Sequence, residues 1–413
     1  MTTGTAANNS DGCCVSFVTT TPEMIRPALP PFMRGEGLLT EDDYIRLSQT
    51  VKMTVAPILL LGIITNTVSI LVYLRMPASV TSTFFSLASG LDILYLLTLC
   101  PTTFMSLVVG QEQAVRSVFY IYYVTYVSNY VTYTTRKVIV CVTMLMSLDR
   151  YLIVAFPIRI RSLEHLRRPK SYTFLVTFLV YLFDINLAFK NKVVVTDQTV
   201  RIVPTENRLK NGQLFLDLAL TSSIVFQYMP LALLVLFNAL MVAALAKHSR
   251  NIRRRFGGPE KKTRQVSQRF HNAGMFDGQP TAGVGGCQSS NKDADDSGKK
   301  MEDARDDKQK AVTRTVLVYS CLFILLALPN TLYPLVRRFV PGLAAFGREH
   351  YLVMALGNVF ALLDTISSAM NFFIYFITGS AFRAGVFRLF RTEQGRQPSA
   401  SASQSSVLTT QEP

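Results

Sequence analysis

The chain has 413 residues, 49% of them hydrophobic and 17% charged, and a net charge of +15. The apolar residues come in blocks of roughly 20 or more, enough to cross about 30 Å of hydrocarbon, which excludes an ordinary soluble enzyme. The positive balance does not call for nucleic acid, because basic loops beside anionic lipid account for it, and four histidines offer little material for a metal site.

Residues 1–52 are polar, with Glu36, Glu41, Asp42 and Asp43, and read as an extracellular segment that is mostly disordered. They hold no basic start followed by an apolar run, so the first span is expected to act as the insertion signal. Asn8-Asn9-Ser10 is a glycosylation sequon on Asn8. Seven apolar stretches follow, at about 53–75, 81–109, 118–148, 171–189, 214–246, 311–336 and 350–377. Backbone groups in lipid must be paired within the segment, so these are predicted helices. The fold class is an all-α membrane protein, a seven-transmembrane helix bundle over 53–379. A disordered inner loop is expected at 250–310, where the sequence turns basic, Gly-rich and then mixed in charge. Residues 380–391 interleave Phe382, Val386, Phe387 and Phe390 with arginines, as an amphipathic helix on the membrane surface does. The tail 392–413 is rich in Ser and Thr, a disordered cytoplasmic segment suited to kinases and arrestin. Lys and Arg cluster after spans 3, 5 and 7 (Arg167, Arg168, Arg253, Arg254, Arg388), which favours an extracellular N-terminus.

Ionisable and polar residues inside spans carry the functional reading, since they are costly there. Asn66 lies in span 1 and Asp92 in span 2. Asp149-Arg150-Tyr151 closes span 3, with Pro157 after it. Pro230 lies within span 5, Phe323 and Pro329 within span 6, and Asn371-Phe-Phe-Ile-Tyr375 within span 7. This ordered set resembles the rhodopsin-like G-protein-coupled receptors over about residues 50–391. Asn238, two turns after Pro230, and Phe372, in place of the usual proline, are most similar to invertebrate neuropeptide receptors of the FMRFamide type.

The resemblance implies a plasma-membrane receptor, not an enzyme, that binds an extracellular ligand of peptide class and activates a heterotrimeric G protein. Arg150 would pair with Asp149 at rest and turn to the G protein on activation, with Tyr375 swinging inward. Pro230 and Pro329 would be hinges, with Phe323 beside the second. Asn66, Asp92, Ser367 and Asn371 would form a polar centre that in the family often holds a sodium ion at Asp92; a buried acid that fixes packing is the alternative, and Ile139 weakens the ion reading. No other cofactor is expected.

Several family features are missing. The chain has no Trp, and Ala327 stands at the span 6 toggle. Thr125 occupies the span 3 disulfide site while 190–213 holds no Cys, so a more mobile second outer loop is expected. A receptor-like scaffold without signalling, or a seven-span transporter or channel, are the other readings.

Arg136 and Lys137 interrupt span 3 about 21 Å outward of Arg150 by helical rise. Asp364 lies two turns outward of Asn371. An Arg136–Asp364 pair is expected at the floor of a ligand pocket lined by Asn129, Thr132, Tyr133, Gln227 and Tyr333, with Arg136 either a contact for an anionic ligand or a structural lock between helices.

Overall fold

The computed structural model describes residues 38–77, 79–156, 168–196, 199–256, 290–343 and 349–391. The sequence expectations at Asn8, Pro157 and 392–413 lie outside these ranges. Helix α1 runs Glu41–Arg75, longer at its start than the sequence suggests. Thr40 caps it by accepting from the Asp43 amide, and Glu41, Asp42 and Asp43 lie where the helix dipole favours acids, so helix begins inside the segment expected to be disordered. Helix α2 spans Val80–Val108 behind a Ser79–Ser82 capping box. Helix α3 spans Val118–Ala155 and contains a π stretch, Tyr123–Thr132. Helix α4 is short, Pro169–Phe183, and after a break at Asp184 adds one turn, Ile185–Ala188.

Strands β1 (Asn191–Thr196) and β2 (Thr199–Pro204) then pair as an antiparallel hairpin. Helix α5 runs Gly212–Ser223, a π turn Ile224–Tyr228, then Met229–Phe256. Helix α6 is Ser290–Phe339. Helix α7 runs His350–Ala369 and continues as Asn371–Thr378, and α8 is Ser380–Phe390.

Six of these helices are each long and apolar enough to cross a membrane. The remaining apolar stretch of the sequence, 171–189, is the shorter α4 with its extra turn. Helix α8, with 11 residues, is too short to cross and turns 108° from the end of α7. That turn falls at Gly379, where an added Cβ would lie 2.8 Å from the Tyr375 carbonyl oxygen. Arg383 donates to the Phe376 and Ile377 carbonyls at 3.0 and 2.9 Å, satisfying the end of α7.

The inner loop expected to be disordered over 250–310 is helical at both margins, to Phe256 and from Ser290. Residues 290–310 mix acids and bases, with Asp295 and Asp296 each four before a lysine, a spacing that supports helix.

The loop expected to be mobile for want of a disulfide contains this hairpin. Val193, Val200 and Ile202 pack on Val115, Tyr120, Ile121 and Val124 at the outer end of α3, and Thr125 is buried where the cysteine would be. An apolar clasp stands in for the covalent staple. Val200→Asp is therefore expected to reduce hydrogen-exchange protection of residues 191–204 by about tenfold or more, while dithiothreitol leaves it unchanged. Unchanged protection in Val200→Asp would count against the clasp.

Candidate functional site

Three polar levels run along the bundle axis, the first and third anchored on α3. At the first, Arg150 is buried, with Nη2 3.2 Å from Asp149 Oδ2 in an ion pair, and it donates a hydrogen bond to Thr81 Oγ1 of α2. Tyr151 stacks on Phe237 of α5 with ring centroids 6.2 Å apart. Tyr375 is fully buried in an aromatic cluster, 4.5 Å from the Phe85 ring and 6.0 Å from that of Tyr319, with Tyr73 and Phe382 closing the other side. Asn238 accepts a hydrogen bond from Ser320 Oγ at 2.7 Å, joining α5 to α6 where the family commonly has a tyrosine. These contacts tie the Arg150 end of α3 to α2 and α5 through polar and stacked groups.

The middle level is the polar centre. Asn371 Nδ2 donates to Asp92 Oδ2, and both residues are buried. Asn66 Nδ2 donates to the Gly62 and Ser368 carbonyls at 2.9 and 2.8 Å, joining α1 to α7. That contact is made by Ser368; Ser367 is buried one position earlier. Gly62 allows the approach, since a Cβ there would sit 2.7 Å from Leu96 and 3.0 Å from Ala369. Asn66 Oδ1 is a buried acceptor without a hydrogen-bond partner. Ile139, also buried, presents hydrocarbon from α3. Pro230 lies two residues past the π turn of α5, and Pro329 lies inside α6, so each removes a backbone donor from its helix.

The third level holds two buried ion pairs on consecutive residues. Arg136 Nη2 lies 2.5 Å from Asp364 Oδ1, and Asn330 Nδ2 of α6 donates to Oδ2 of the same carboxylate at 2.5 Å. One carboxylate therefore joins α3, α6 and α7. The guanidinium also lies over the rings of Phe323 and Tyr95, 5.0 and 5.6 Å from their centroids. Lys137 points elsewhere: Nζ lies 2.8 Å from Asp184 Oδ1 of α4 and 2.8 Å from Ser222 Oγ of α5. Ser222 and Thr134 both donate to Asp184. Both members of this second pair have side chains only 1% exposed, so the pair is fully withdrawn from solvent.

Of the expected pocket residues, Tyr133 meets one of these pairs, its ring centroid 4.6 Å from Lys137 Nζ. Tyr133 Oη lies 3.3 Å from Ser223 Oγ and donates to Gln227 Oε1 at 3.4 Å. Thr132 donates to Thr98 at 2.9 Å. Asn129 is half-buried on the π stretch of α3, and Gln227 lies on that of α5. Such π turns recur at functional sites. Tyr333 turns away from the group and donates to the Val353 carbonyl.

Thr81, Asp184, Ser222, Asn330 and Ser368 were not singled out by sequence. A signal existed for Asp184, because an acid inside an apolar span requires a partner. None existed for the hydroxyl and amide residues, which are common in such helices.

The family model described as "7 transmembrane receptor (rhodopsin family)" matches residues 65–375. A search of curated proteins found no match. The matched stretch runs from the last turns of α1 to Tyr375 and contains all three polar levels. The chain belongs to the rhodopsin family of seven-transmembrane receptors.

Proposed function

We propose that this protein is a G-protein-coupled receptor of the plasma membrane, with its N-terminus outside, which binds an extracellular ligand and activates a heterotrimeric G protein. The observation that carries the reading is Arg150, buried at one end of α3 and held by Asp149 and Thr81. A cation kept there by weak, reversible contacts suits a group that is released to a partner when the helices part. Tyr375, packed but not covalently held, suits the second moving part. Ligand binding shifts the population toward the open arrangement, and the shift is limited by the ligand's difference in affinity for the two states. Nucleotide exchange then takes place on the G protein.

A peptide is the ligand class we favour, resting on the likeness of Asn238 and Phe372 to neuropeptide receptors. It would enter beside the hairpin and reach Asn129, Thr132, Tyr133 and Gln227. Asp92, with Asn66 Oδ1, would hold a sodium ion that favours the resting arrangement. Kinases and arrestin would act on the Ser/Thr-rich tail.

The test is a second-messenger screen of expressed receptor against neuropeptides and small amines, run beside Arg150→Ala. The expected result is an agonist whose response falls at least about tenfold in Arg150→Ala at equal surface expression. A full response in Arg150→Ala would remove Arg150 from coupling. No basal or ligand-driven signal from well-expressed receptor would favour the scaffold reading.

A further inference from the structure

A shallow, open cleft lies between the end of α4 and the start of α5, at the hairpin end of the bundle. Its wall combines two kinds of residue. Leu187 of α4 and Phe215 and Leu216 of α5 are apolar, while Lys190, Arg208 and Asn186 are donors from three separate segments. Arg208 Nη1 donates to Asn191 Oδ1 at 2.9 Å, which anchors that guanidinium to the foot of β1. Asn186 Nδ2 is buried and has no hydrogen-bond partner, an arrangement that costs free energy unless an acceptor arrives.

The neighbouring side chains locate the cleft in the bilayer. Ile185, Phe189 and Leu214 are 46%, 64% and 56% exposed, as lipid-facing residues are. The cations cap the ends of two spans, so the mouth lies where headgroups meet hydrocarbon. Lysines and arginines at that depth ordinarily snorkel to the interface. Snorkelling alone requires neither a cleft between two helices nor a buried amide donor within it.

We propose that this cleft binds a phosphate-headed lipid. An arginine, a lysine and an amide supply converging donors that match the several acceptor oxygens of a phosphate. Leu187, Phe215 and Leu216 take the first part of the hydrocarbon. The site lies at the opposite end of the bundle from Arg150, so its failure would leave the coupling proposal standing.

The full-length receptor would be extracted from phosphatidylcholine vesicles containing a minor fraction of phosphatidylglycerol, and retained lipid counted by native mass spectrometry. Wild-type receptor should retain phosphatidylglycerol, and the Lys190→Gln, Arg208→Gln double variant should retain at least about tenfold less. Asn186→Leu removes a donor that has no protein partner, so it should weaken retention while thermal stability holds or rises. Retention unchanged in both the double variant and Asn186→Leu, with wild-type melting behaviour, would overturn the site. Inorganic phosphate alone is the second arm. Weak displacement is expected, whereas complete displacement at millimolar concentration would show that the apolar wall contributes nothing and would overturn the lipid reading.

Discussion

Asp184→Ala is expected to remove most folded receptor from the membrane. The substitution strands Lys137, whose Nζ has Asp184 and Ser222 as its hydrogen-bond partners and whose side chain is 1% exposed. Deleting one partner of a buried pair costs about 3–5 kcal/mol, because the remaining charge keeps its desolvation penalty and loses its attraction. Against a total stability of about 5–15 kcal/mol for a folded domain, that is a fifth or more. The loss reaches further than one contact, since Ser222 and Thr134 also donate to Asp184, so α3, α4 and α5 lose their shared acceptor together. Lys137→Met alone should do comparable damage by leaving the carboxylate. The double variant Lys137→Met, Asp184→Leu removes both charges and fills the space with hydrocarbon, and should recover most of the thermal stability. Fluorescence-detected size exclusion with a melting curve separates the outcomes. Equal expression of all three variants would show that the pair contributes little.

The seven spans were legible in the sequence because a hydrocarbon slab imposes a length and a composition that few other constraints imitate. The Arg136–Asp364 pair was legible for a related reason: an ion inside a span must find a counter-ion, and Asp364 lies at a suitable height. Lys137 could have been resolved by the same logic. Successive helical residues point about 100° apart, so Arg136 and Lys137 could not both turn toward one acid on α7. Asp184, inside the fourth stretch, was the acid left over. The start of α1 and the helix from Ser290 were missed because capping and charge spacing stabilise helix without the apolar periodicity by which spans are found. The hairpin was missed because its short strands are stabilised by contact with α3, which sequence spacing does not reveal. Asn330 and Ser368 became visible only when the fold set them against Asp364 and Asn66.

Asp364→Asn is expected to raise basal signalling, the second large effect. Asp364 accepts from Arg136 on one oxygen and from Asn330 on the other, so a single carboxylate holds α6 to both α3 and α7. Ala327, buried where the family has a bulky toggle residue, supplies little resistance of its own, which leaves this carboxylate as the stronger restraint at that depth. An amide keeps the shape and an acceptor for Asn330, but it removes the charge opposite Arg136. The buried guanidinium, 10% exposed, then loses the partner that offsets its desolvation. A loss of about 1.4 kcal/mol from the resting state alone shifts its ratio to the open state by tenfold, so a several-fold rise in ligand-free second messenger is the expected scale. The full charge swap, Arg136→Asp with Asp364→Arg, distinguishes a restraint between helices from a ligand contact. If the pair is a restraint, the swap restores both expression and low basal signal, because attraction is indifferent to which helix bears which sign. If Arg136 instead serves a ligand anion, the swap restores expression and still abolishes the agonist response. Wild-type basal signal and expression in both single variants would defeat the restraint altogether.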